Sequence, residues 1–65
     1  MRRFQFVITM RGAATSVRLV EVRTEPRARE LAQRILHESP EHLGVDVWEG
    51  EHRLFTVGQS TDSAA

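Results

Sequence analysis

Phe4, Phe6, Ile8 and Met10 alternate with Arg3, Gln5, Val7 and Thr9 near the start of the chain. A period of two marks a strand with one buried face, so this spacing predicts a first strand with its aromatic side turned inward. Gly12 to Ser16 is a run of small residues and reads as the loop that follows. Val17 to Arg23 is rich in β-branched residues and predicts a second strand. Its facing is open at this point, because either Val20 and Val22 or Val17 and Leu19 could point to the core.

The period then changes from two to about four. Ala28, Leu31, Ala32, Ile35 and Leu36 recur at helical spacing and form one apolar stripe. Thr24 can cap such a helix, Glu25 suits the positive end of its dipole, and Pro26 is tolerated in a first turn. Ser39-Pro40 ends it, since the residue before proline disfavours helical dihedrals. Arg27, Glu30, Arg34 and Glu38 occupy the other side, with Glu30 and Arg34 in the favourable i, i+4 order. That outer face reads as a solvated, self-neutralising surface.

Alternation returns at Leu43, Val45 and Val47, which interleave with Gly44, Asp46 and Trp48. A turn over Glu49-Gly50-Glu51-His52, with Gly50 free to take a positive φ, leads into a fourth strand from Arg53 to Val57. Either Leu54 or Phe55 can face the core. Residues 1–57 are expected to form a single α+β domain, and the small polar residues 58–65 a disordered tail.

A right-handed crossover through the helix makes the third strand run in the same direction as the second. It then fits antiparallel beside the first. The expected fold is a two-layer β-β-α-β-β sandwich, a four-stranded antiparallel sheet in the order 2-1-3-4 with one helix on one face.

Size makes the apolar budget tight. Sixty-five residues without a cysteine can build neither a disulfide framework nor a thiolate metal site. A core this small contributes roughly 3–5 kcal/mol, and association often adds to it. The formal net charge is zero, but it is unevenly placed. Residues 1–36 hold eight arginines against Glu21, Glu25 and Glu30, a balance of +5, and residues 37–65 hold Arg53 against six acids, a balance of −5. Lys, Asn and Tyr are absent while Arg, Ala and Val abound, as GC-rich coding would produce, so arginine content alone argues for no partner. The apolar run after Arg2 and Arg3 is interrupted and closed by Arg11, too short for a secretory or membrane segment. A cytoplasmic protein with no membrane partner is the expectation.

Little in the chain carries chemistry. His37-Glu38-Ser39-Pro40-Glu41-His42 resembles a zinc helix, but its second histidine falls one residue late and Pro40 breaks the helix between them. Ser16, Ser39, Ser60 and Ser63 lack a nucleophile-elbow pattern. Glu49 and Glu51 flank a turn where solvent keeps carboxylates ionised. The four glycines form no phosphate loop. No enzyme, cofactor or metal is expected.

Two binding surfaces come into view instead. Arg3, Arg11 and Arg18 lie on the first hairpin, where strand arginines can follow phosphates, so weak nucleic-acid binding is the alternative function. If Val45 and Val47 face the helix, Trp48 faces away from it, beside Val7 and within reach of Leu19 and Phe55. A partly apolar outer sheet face is a candidate interface, most simply for a homodimer or a small protein partner.

With these elements placed, the chain resembles a family of small bacterial β-β-α-β-β proteins of unknown function. The opening Met1-Arg2-Arg3-Phe4-Gln5-Phe6 is similar to the family's start, and Ala28-Arg29-Glu30-Leu31-Ala32 to its Ala-Arg-x-x-Ala helix. Val45-Asp46-Val47-Trp48-Glu49-Gly50 with Leu54-Phe55-Thr56-Val57 is similar to its closing Val-x-Val hairpin. The resemblance covers most of the chain and implies the same fold, with no activity or site residue to carry over.

Overall fold

A computed structural model describes residues 1–12 and 14–59. The elements follow the expected order: β1 Arg2–Met10, β2 Thr15–Val22, α1 Glu25–Glu38, β3 His42–Glu49 and β4 His52–Gly58. All strand pairs are antiparallel, and the sheet order is β2-β1-β3-β4.

Register decides which side chains meet, because residues opposite one another in an antiparallel pair share a face. Phe4 pairs with Val20 and Phe6 with both Arg18 and Val47, while Ile8 pairs with Val45 and Val45 with Val57. Phe4, Phe6, Ile8, Val22, Val45, Val47 and Val57 form a buried layer beneath Ala28, Ala32 and Ile35 of α1. The facing of β2 is thereby settled: Val20 and Val22 turn towards the helix, and Val17 and Leu19 turn away. Alanines on the inner stripe let the helix axis approach the aromatic layer closely.

The helix is closed as its sequence foretells. Thr24 takes extended dihedrals as N-cap and its hydroxyl accepts from Arg27 N at 3.3 Å. His37 stands in the last turn, its Nδ1 against Gln33 O at 2.9 Å. The chain leaves through Ser39, the C-cap.

Three expectations need correction. The first loop is shorter than Gly12–Ser16, because Thr15 and Ser16 already pair with Thr9 and Ile8, and Met10 N donates to Ala14 O at 2.8 Å. The polar tail begins later than residue 58, since β4 includes Gly58 and Gln59 N donates to Leu43 O at 3.0 Å. Residues 60–65 of that expected tail lie outside the described residues.

Phe55 also changes sides. A bulge between Val47 and Trp48 pairs Val47 with Phe55 and Trp48 with Arg53, leaving Leu54 as the extra residue. An extra residue lets two consecutive side chains lean to one face, and both Leu54 and Phe55 pack against the core. Phe55 lies under the Arg29 guanidinium of the helix, 4.2 Å from the ring centre.

Candidate functional site

The sheet face without a helix is assembled from the other half of each strand: Arg3, Gln5, Val7 and Thr9 of β1, Thr15, Val17, Leu19 and Glu21 of β2, Gly44, Asp46 and Trp48 of β3, and Arg53 and Thr56 of β4. Its two sides differ in chemistry.

On the β3–β4 side, Asp46 is only 1% exposed although no helix covers it. Val7 and Thr56 stand directly opposite it on the two neighbouring strands, and Gly44 and Trp48 are its same-face neighbours along β3. Thr56 Oγ1 donates to Asp46 Oδ1 at 2.6 Å, the kind of partner a buried carboxylate requires. The backbone of Gln59 crosses directly over Gly44, so closely that any side chain there would collide with Gln59 O. This corner of the open face is thus closed by the chain itself.

On the β1–β2 side no segment among the described residues closes the face. Val7 and Val17 pair across the strands, and Leu19 stands beside them opposite Gln5, which is in turn opposite Trp48. Val7 and Trp48 are half-buried, whereas Val17 is 54% and Leu19 69% exposed. The structure therefore brings together three of the four residues expected at an interface, Trp48, Val7 and Leu19. It adds Val17 and removes Phe55 to the helix side. Val17 was visible as an alternative in the two facings of β2; the bulge that moves Phe55 leaves no such trace.

The arginines do not share a surface. Arg3 is on the open face with Nη2 3.5 Å from Glu21 Oε2, and Arg18 is on the helix side with Nη2 3.4 Å from Glu38 Oε1. Arg11 is in the β1–β2 turn, its Nε 3.7 Å from Glu41 Oε2. Arg2 makes the tightest pair, with Nη2 and Nε at 2.6 and 2.8 Å from the two carboxylate oxygens of Glu49. Hydrogen bonding from Arg2 holds the Glu49 carboxyl below the usual glutamate value, and the same bond raises Arg2. Arg2, Arg11 and Arg18 thus neutralise acids from the second half of the chain. Part of the charge asymmetry along the sequence becomes pairing inside the fold.

His42 directs Nδ1 to Ile35 O at 2.6 Å, where it ties β3 to the helix. Among the described residues no three of His, Cys, Asp and Glu gather as a metal-binding group, and no helix is long and apolar enough to cross a membrane. A groove of about 460 Å³ runs between the end of β2 and the start of α1, lined by Met1, Glu21, Val22, Arg23, Thr24 and Arg27. Its one carboxylate among the described residues is that of Glu21.

The fold defines the chain as a two-layer α+β protein with a four-stranded antiparallel sheet. No protein-family model, curated protein or solved structure matches it.

Proposed function

We propose that the protein is a small non-enzymatic interaction module that associates with a second copy of itself through the open sheet face. The observation that carries this reading is the apolar strip Val7, Val17, Leu19 and Trp48 on the side that the helix leaves uncovered, with its two most exposed members on one strand. Exposed apolar side chains grouped on one sheet face often mark an interaction surface. Arg3 and Glu21, which border the strip, pair with each other, so the strip asks for an uncharged partner surface. A second copy presents one.

Energy agrees with this. Covering a tryptophan and three aliphatic side chains contributes several kcal/mol at about 25 cal/mol per Å². That is comparable with the ~3–5 kcal/mol expected of so small a core. The same proposal takes the protein to be cytoplasmic and a member of the uncharacterised bacterial family it resembles.

Sedimentation of the wild type and of Trp48→Ala tests the reading. The wild type should associate at submillimolar concentration, and the variant should show a lower mass with an unchanged circular dichroism spectrum. A wild type that sediments as a monomer throughout that range overturns the proposal. Tight, salt-sensitive binding of single-stranded nucleic acid by a monomer would favour the arginine alternative.

A further inference from the structure

The apolar strip is off-centre, and its position carries more than its existence. Exposure rises from half-buried Val7 and Trp48 in the middle of the sheet to Val17 and then Leu19 on β2, the outermost strand. In an interface formed by the face alone, the outermost strand would lie at the rim, and rims are polar while centres are apolar. Leu19 at 69% exposure is in the wrong place for a rim. It is in the right place if the sheet continues beyond it.

The two edges of the sheet differ in the same sense. At the β4 edge the pairing is interrupted by the bulge between Val47 and Trp48, and the strand ends on Gly58 at a φ of 74°. Bulges of this kind twist an edge away from further pairing. The β2 edge has no bulge: its register with β1 is unbroken from Arg2–Val22 to Thr9–Thr15, and it contains no proline. Its two charged side chains are engaged within the chain, Arg18 with Glu38 and Glu21 with Arg3. Alternate N–H and C=O groups of an antiparallel strand point to opposite sides. Half of the backbone groups of β2 therefore point away from β1, as a template for another strand.

We propose that β2 pairs antiparallel with β2 of a second copy, joining two sheets into one of eight strands. β2 is compatible with itself. With the two-fold axis at Leu19, that residue meets the second copy's Leu19, Val17 meets Glu21 and Arg18 meets Val20, so no like charges stand opposite. Centring on Arg18 or Glu21 would oppose like charges, which destabilises a strand pair. The net charge of zero adds no long-range repulsion between copies. Pairing at Leu19 also joins the two apolar strips into one, with Leu19 and Val17 at its centre. This rests in part on the self-association reading, because the open faces of the enlarged sheet are the surfaces proposed to pack. Two such isologous contacts close into a tetramer of 222 symmetry.

Amide hydrogen exchange of the wild type and of Trp48→Ala, followed over the concentration range in which mass changes, tests the edge separately from the face. The alternate amides of Thr15–Val22 that point away from β1 should slow at least tenfold on association. They should stay slow in Trp48→Ala, which is expected to stop at a dimer. Free exchange of those amides in an associated wild type overturns the edge proposal and leaves the face reading standing. Protected amides with no change of mass in Trp48→Ala overturn the face reading and leave the edge. A monomer with unprotected β2 amides at every concentration overturns both.

Discussion

The two faces of the sheet are cut from the same strands, yet they obey different rules. Towards the helix, Phe4, Phe6, Ile8, Val45 and Val47 are fully buried in one apolar cluster. Away from it, Gln5, Val7, Thr9, Asp46 and Trp48 alternate with them on the same two strands, and there polar and apolar groups are mixed. One 14-residue helix covers one face, and the second is managed locally. On one side Thr56 and the Gln59 backbone close it over Asp46 and Gly44. On the other, Val17 and Leu19 are exposed. The helix face holds the buried core of the fold.

The sharpest way to break this comparison is to delete a large side chain from each face. Phe6→Ala removes a fully buried ring and should cost about 3–5 kcal/mol. That equals the ~3–5 kcal/mol such a core supplies, so the variant should lose its cooperative denaturation curve and its dispersed amide spectrum. Leu19→Ala on the open face should shift the monomer's stability by less than about 0.5 kcal/mol. Its denaturation midpoint should depend less on protein concentration than that of the wild type. Similar losses from the two variants would mean that the open face is already part of a core.

A smaller effect is expected where the chain closes its own open face. Gly44→Ala places a methyl group against the Gln59 backbone and should cost about 1–3 kcal/mol through displacement. The Gln59 amide should lose protection as its bond to Leu43 O opens, while the amides of β1 keep theirs. Unchanged protection at Gln59 would show that the crossing over Gly44 is not maintained in solution.

The smallest effect lies at the sheet's end, between the faces. Arg2 holds the Glu49 carboxyl below the usual range, so the folded state binds that proton less readily than the unfolded chain. The stabilisation is therefore complete above the ordinary glutamate range and fades as pH falls through the lowered value. Because the pair is exposed, the stability change should be slight. In a carboxyl NMR titration the Glu49 midpoint should lie below the usual glutamate value, and Arg2→Ala should raise it.

Much of this fold is legible before any coordinates. The alternation in β1 and the stripe on α1 each name their buried side chains directly, since an inward position must be apolar whatever covers it. The order 2-1-3-4 follows from one handedness rule applied to one crossover. The candidate site was half legible. Trp48 and Val7 follow from the parity of β3 and β1 once Val47 and Phe6 are taken as core. Phe55 does not, because a bulge adds one residue to the count and no local pattern announces it.

What the sequence alone determined is therefore whatever depends on period: the type of each element and the inner faces of β1, β3 and α1. Tertiary structure decided whatever depends on two segments meeting. It turned Val20 and Val22 inward, since β2 could satisfy either face until its register with β1 was set. It buried Asp46, a residue that reads as solvated in a strand until Thr56 and Trp48 stand around it. It also paired arginines of the first half with acids of the second, because antiparallel neighbours bring together residues far apart in the chain, and charge counted along a sequence contains no distances.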